Sequence, residues 1–206
     1  MWHDAVMMIR FALALMLCLA APAQIWAQVA QDSTSIEVAP AAPIDPAKQQ
    51  AAEIDRLFGQ LHKEGATNPQ QAIEKIWTLW SANTSPMAEI LLTQSGKALK
   101  DGAFETSETM LNELVGSYPE YTEALNQRAM LYYNMKRYDD AQTDLEAVLE
   151  NEPRHFGALS GLAAVYQAKG ETVKAAAMLR EAIAVNPYLE SAKQVLKQLE
   201  HDYPNI

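Results

Sequence analysis

Three prolines set the frame of this chain: Pro119, Pro153 and Pro187 stand 34 residues apart, and Gly102, Lys136 and Gly170 keep the same interval in the turns between them. Proline disfavours helix in the residue before it, and glycine closes a helix C-terminus, so each interval holds two short helices and two turns. A chain with a period of this length stacks helix pairs, because one pair cannot bury its apolar faces alone. On this period residues 88–121, 122–155 and 156–189 superpose without a gap, covering 102 of the 206 residues. Residue classes then fall into columns. Leu91, Leu125 and Leu159 share the fourth, Ser95, Ala129 and Ala163 the eighth, and Ala98, Tyr132 and Tyr166 the eleventh; Ser107, Ala141 and Ala175 share the twentieth, and Leu111, Leu145 and Leu179 the twenty-fourth. Small residues in the eighth and twentieth mark the closest approach of two antiparallel helices, while the large columns fill the space between successive pairs. Arg128 occupies the seventh column, where an apolar residue is common, and Asp144 in the twenty-third faces it, which predicts an ion pair within the repeat.

This pattern resembles the tetratricopeptide repeat family. The second copy fits best, ending its turn with Lys136-Arg137-Tyr138-Asp139-Asp140-Ala141 and closing with Asn151-Glu152-Pro153, while the first departs with Ala98 where a tyrosine is usual. The resemblance implies an all-α right-handed solenoid of helix-turn-helix repeats with terminal capping helices, whose concave groove receives a segment of a partner protein. More narrowly, residues 152–162, from Glu152-Pro-Arg-His-Phe-Gly to Leu162, are similar to a stretch in exported alphaproteobacterial repeat proteins. That likeness implies a periplasmic role in keeping the cell envelope intact.

The flanks are read from local signals. Asp45-Pro46 and Asn68-Pro69 each pair an N-cap residue with proline at the first helical position, predicting helices over 46–64 and 69–81. Residues 47–87 are accordingly read as a degenerate repeat or cap over the exposed end of the stack, with Trp77 and Trp80 in its core rather than forming an exposed aromatic platform. At the other end 190–206 read as a capping helix and tail, burying Ala192, Leu196 and Leu199. Residues 1–27 have the layout of a secretory signal peptide: the uncharged run Phe11 to Ala21 follows Arg10, precedes small residues, and at eleven residues is too short to span a bilayer. Cleavage after Ala27 is preferred to cleavage after Ala23, and Met7 or Met8 are alternative starts. Residues 28–46, rich in proline and alanine and lacking aromatics, read as a flexible linker. The expected location is the periplasm, with secretion as the alternative.

Acidic residues outnumber basic ones 26 to 16, a formal charge of −10, which repels nucleic acid. The single cysteine, Cys18, forms no intrachain disulfide, and His62, His155 and His201 lie too far apart to read as metal ligands, so they are expected on the surface. With no nucleophile elbow, phosphate loop or zinc-protease motif, neither catalytic residues nor a cofactor are expected. The concave columns present Leu92, Leu99, Asn126, Met130, Tyr133, Ser160 and Gln167 as candidate partner contacts, with small residues at Gly157, Ser160 and Ala164 leaving room for a helix. Family members that clamp chaperone C-termini use lysine, arginine and asparagine where this chain has Leu92, Gly96, Gln127, Gly157 and Gly161. A neutral or basic amphipathic protein segment is therefore the expected ligand, with the turn at Arg154 and His155 as a secondary surface. The function expected is a non-catalytic periplasmic scaffold supporting the cell envelope. The alternatives are a secreted interaction protein and, below it, a regulator of a cell-wall enzyme.

Overall fold

The computed structural model describes residues 45–63, 65, 67–82 and 85–205; the expected signal peptide and all but the end of the linker lie outside the described residues. The chain divides into two units, Met1–Asp45 and Pro46–Ile206, and the second contains the helical array. In chain order its helices are α1 (Pro46–Leu61), α2 (Pro69–Ser81), α3 (Pro86–Lys100), α4 (Phe104–Ser117), α5 (Thr122–Asn134), α6 (Tyr138–Asn151), α7 (Phe156–Ala168), α8 (Thr172–Val185) and α9 (Glu190–Asp202). No strand occurs among the described residues.

The pairs α3–α4, α5–α6 and α7–α8 repeat one another in backbone detail. Tyr118, Glu152 and Asn186 each precede a proline and have φ of −136°, −134° and −128°. The pyrrolidine ring keeps that residue out of the helical region, so the second helix of every pair stops at the same place. Inside each pair the turn passes through Gly102, Lys136 and Gly170 at φ of 74°, 61° and 78°. The next N–H then reaches back into the first helix, from Ala103 to the Ala98 carbonyl at 2.9 Å, Arg137 to Tyr132 at 2.9 Å and Glu171 to Tyr166 at 2.8 Å. These bonds satisfy carbonyls the helix end would otherwise leave open. Lys136 takes this left-handed conformation with a side chain, where its two counterparts are glycine.

Packing follows the columns. Ser95, Ala129, Ala163, Ser107, Ala141 and Ala175 are all buried, as are Leu111, Leu145 and Leu179. In the first pair the Ser107 hydroxyl donates to the Ser95 carbonyl at 3.0 Å, so a hydrogen bond spans the crossing where the other pairs have methyl contacts. Arg128 forms the expected pair, its Nε and Nη2 each donating to an Asp144 carboxylate oxygen at 2.8 Å. A third bond from Nη1 to Asn112 Oδ1 at 3.0 Å ties it to the preceding pair. This fork satisfies a buried carboxylate that would be costly if left alone. At the C-terminal end α9 lays Ala192 and Leu199 against Ala175, Ala176 and Leu179.

The N-terminal pair departs from expectation twice. Helix α1 ends at Leu61 rather than running on to residue 64, and the left-handed Gly65 follows it at φ 69°. More consequentially, the pair does not cap the outer face of the first repeat. Ile54, Leu57, Phe58 and Leu61 of α1 join Ile73, Ile76 and Trp80 of α2 in one cluster with Phe156, against which Val185 and Leu189 also pack. The hairpin therefore lies along the edge where the turns between successive pairs emerge. Its aromatic stripe finds aromatic partners there, whereas the outer face of α3 offers only aliphatic ones. Met87 and Ile90 on that outer face stay 61% and 48% exposed, in columns where the later repeats bury Tyr121 with Ala124 and His155 with Ala158.

Chemical denaturation of two variants tests the crossing and the turn. Ala175→Leu should lower stability by about 1 to 3 kcal/mol by overpacking the crossing; an unchanged midpoint would remove the residue from the helix contact. Lys136→Gly should raise stability by about 1 kcal/mol by relieving the left-handed side chain, and a loss would show that the lysine is not strained there.

Candidate interaction groove

The first helices of the pairs, α3, α5 and α7, stand side by side and their free columns make the concave face. Between α5 and α7 it opens into a cleft of about 170 Å³. Asn126, Ala129, Met130 and Tyr133 form one wall, Gly157, Gly161, Ala164 and Val165 the other, and Leu145 of α6 lies beneath. Met130 and Tyr133 stand at the rim, 52% and 37% exposed. The Tyr133 ring leans on Tyr138, with centroids 5.7 Å apart, which fixes its direction.

The other candidate residues are distributed unequally. Asn126 is buried, and its amide donates to the Glu123 carboxylate at 3.3 Å, so it forms wall rather than a free donor. Leu92 is also buried, packing with Leu114 and Tyr121 in the core of the first repeat while its edge borders a second cleft between α2 and α3. Leu99 is half-buried and Gln167 exposed at the far end of their helices. Ser160 is half-buried and donates its hydroxyl to the Phe156 carbonyl at 2.8 Å. The room left by Gly157 is already taken: a Cβ there would lie 2.5 Å from Cη2 of Trp77. A helix does approach, but it is the chain's own α2.

The turn at Arg154 and His155 is not a free surface. His155 has no exposed area. Its Nδ1 accepts the Ala158 N–H at 3.0 Å, capping α7 and placing the ring proton of the neutral form on Nε2. Its ring stacks on Trp80, with centroids 4.1 Å apart and planes at 22°. Nε2 lies 3.4 Å from Glu123 Oε2 but makes no hydrogen bond. Arg154 is engaged as well, paired with Asp55 of α1 at 2.8 Å and set over the Phe58 ring at 4.6 Å. The expectation of a surface histidine fails because its cover comes from α2, about 75 residues earlier, and nothing local to the turn announces that.

The hairpin is held at both ends. The Tyr121 hydroxyl donates to the Ser81 carbonyl at the end of α2. After α1, His62 sets Nδ1 and Nε2 each 2.9 Å from a carbonyl oxygen, those of Phe58 and Ala184. Among the described residues no group of three histidine, cysteine or acidic side chains could hold a metal, and no helix is long and apolar enough to cross a membrane.

Comparison with known proteins agrees with this geometry. The tetratricopeptide repeat profile matches residues 135–188. A TPR repeat-containing protein of Rhizobium etli is 35% identical over 118 residues, 57% of this chain and 58% of that relative. Residues 135–188 match that family, and the helical array around them has the tetratricopeptide repeat solenoid fold. The chain spans little more than half the length of the Rhizobium relative. Among solved structures, the first TPR domain of Spaghetti (RPAP3), bound to the HSP90 peptide SRMEEVD, superposes with a TM-score of 0.54 at 17% identity, covering 56% of this chain and 91% of that one. The O-GlcNAc transferase of Thermobaculum terrenum matches with a TM-score of 0.54 at 22% identity, over 58% of this chain and 24% of the transferase. At such identities the likeness is one of fold. Within that fold the hairpin docked on the inter-repeat turns sets the limits of this chain's groove.

The two carbonyls facing His62 predict a pH dependence of the docking. Facing the Ala184 and then the Phe58 carbonyl raises its pKa above the ordinary 6.5, because only the imidazolium can donate to both. A raised folded-state value contributes stability that is complete below the unfolded value and is lost as pH rises through the folded one. Denaturation at about pH 6 and about pH 8 should therefore show His62→Ala losing more stability at the lower pH. Equal losses at both would remove the imidazolium from the docking.

Proposed function

We propose that this protein is an exported, non-catalytic scaffold that holds a segment of another protein against its concave face and acts in the bacterial periplasm in support of the cell envelope. One observation carries the binding site: the cleft between α5 and α7, whose rim residues Met130 and Tyr133 stay half in water. A thioether and a phenol ring so placed bind an apolar side chain well, since both bury large area with little loss of freedom. The size and apolar lining of the cleft suit one or two anchors of an amphipathic helix laid across it.

Charge narrows the partner. The RPAP3 domain holds a peptide ending in two glutamates, a valine and an aspartate. In this chain the corresponding columns carry no cation, and the Gln127 amide is enclosed by the Leu92 carbonyl and the Gly96 N–H, each 3.0 Å away, which it satisfies when its nitrogen faces the first and its oxygen the second. An acidic tail would find nothing to pair with, and repeats carrying 9 basic against 15 acidic residues would repel it. A neutral or basic segment is the fitting ligand. Export is supported by the uncharged run from Phe11 to Ala21 and the small residues after it.

Crosslinking and capture from fractionated cells, with the full chain as bait, tests the proposal. Met130→Ala combined with Tyr133→Ala should weaken partner recovery by about 1 to 3 kcal/mol of binding while leaving the thermal melt nearly unaltered. Unchanged recovery would move the binding site off the concave face. Envelope proteins recovered from the periplasmic fraction support the proposed location; recovery confined to the culture medium would replace it with a secreted role.

A further inference from the structure

The two junctions between neighbouring first helices share their columns but not their contents. One wall of the cleft between α5 and α7 is built from Asn126, Ala129 and Met130; one repeat earlier, between α3 and α5, the same columns hold Leu92, Ser95 and Gly96. There Gln127 reaches across from α5 and lies on that wall. Its amide stands 3.3 Å from the Ser95 hydroxyl and 3.0 Å from both the Leu92 carbonyl and the Gly96 N–H, and a Cβ on Gly96 would collide with it. The residue 34 positions on is Gly161, which has no side chain to lay over the wall. At that place the cleft of about 170 Å³ is open.

Gly161 also sets the depth. A Cβ there would lie 3.1 Å from Cδ2 and 3.2 Å from Cδ1 of Leu145, the floor of the cleft, closer than carbon atoms rest in ordinary contact. Ala129, Ala164 and Val165 line the interior with carbon, and the amide of Asn126 already donates to the Glu123 carboxylate. A polar side chain entering this space would give up its water without a partner in return, whereas an apolar one loses nothing. Toward the start of α7 the cleft is stopped by Trp77, set 2.5 Å from where a Gly157 Cβ would stand. That indole is held in place, with Trp80, His155 and Phe156 meeting it edge to face at 5.5, 5.4 and 5.2 Å. The cleft is therefore a seat for one large side chain, closed at one end.

We infer that Gly161 and Gln127 together set the register of the bound segment: a leucine or phenylalanine side chain seats against Gly161 between α5 and α7, and Gln127 denies a matching seat between α3 and α5. This rests on the proposed concave-face binding and deepens it by naming the anchor and the two residues that select its place. Around that anchor the acidic repeats, with 9 basic against 15 acidic residues, call for a segment of neutral or basic charge.

The test uses the immobilised full chain and synthetic, positively charged helical peptides whose apolar face is alanine with one central leucine, exchanged in turn for phenylalanine, glutamine and alanine. The leucine and phenylalanine peptides should bind about tenfold tighter than the alanine one, the size of one buried anchor, and the glutamine peptide no tighter than alanine. Gly161→Ala should reduce that preference and Gly161→Gln, which copies Gln127, should erase it. If a thermal melt shows Gly161→Gln unfolded, Gly161→Ala and Gln127→Ala decide the matter. A second leucine seven residues from the first, about 10 Å along a helix and so matched to the spacing of packed helix axes, should add nothing on the parent chain and about fivefold on Gln127→Ala. A leucine preference that is absent from the parent or survives both Gly161 variants would overturn the inference, as would a second leucine that already helps the parent or fails to help Gln127→Ala. The concave groove outlives those results if Met130→Ala with Tyr133→Ala weakens every peptide. Peptides indifferent to Met130 and Tyr133, or no binding at all, would overturn the groove and the register together.

Discussion

Each repeat is organised around the contact between its eighth and twentieth residues, Ser95 with Ser107, Ala129 with Ala141 and Ala163 with Ala175. These side chains are the smallest that still carry a Cβ, and all six are buried. Larger ones would push the two helix axes apart, and interiors packed to native density have no room for that. With the crossing fixed, and the second helix stopped each time before Pro119, Pro153 or Pro187, successive pairs stack by the same step. The alignment of α3, α5 and α7 on one face is the result, and the cleft with Met130 and Tyr133 at its rim exists only because that alignment holds.

The hairpin α1–α2 depends on the same periodicity while obeying none of it. It has no place in the 34-residue frame, yet it packs on turns that the frame brings into a row. Trp80 covers His155, Phe58 meets Phe156 edge to face at 6.5 Å, and Arg154 bridges to Asp55. The energy of this docking lies in buried aromatic area. The exposed ion pairs and the His62 bonds set direction more than strength, as partly solvated charges do. Among the described residues, Trp80 Nε1 and His155 Nε2 make no hydrogen bond inside it, so the junction trades some polar satisfaction for aromatic packing.

That trade shapes the binding face. With Trp77 seated on Gly157, the end of the concave face nearest the inter-repeat turns is occupied, which leaves a shorter, two-part surface instead of an open trough. One part lies between α5 and α7; the other, between α2 and α3, is bordered by Trp77, Ala82 and Leu92 with Thr78, Ser81, Thr93 and Glu89. Gly157 on α7, which leaves space for a helix, thus serves the folding of the chain itself.

Periodicity alone determined the three helix pairs, their turns, the buried small columns and the Arg128–Asp144 pair, because each of these rests on residues within one repeat length of each other. Met130 and Tyr133 were legible as exposed for the same reason: a position in a helix pair decides which way a side chain points. What tertiary structure decided is where the hairpin went. An apolar stripe states that it must be covered but not by what, and the choice between the outer face of α3 and the edge at Phe156 turns on aromatic shape matched across about 80 to 100 residues of sequence. From that single choice follow the burial of His155, the loss of Arg154 as a free cation, the filling of Gly157 by Trp77 and the second cleft. All of these depend on contacts between segments that carry no sequence signal of one another, so only the folded chain brings them onto one face.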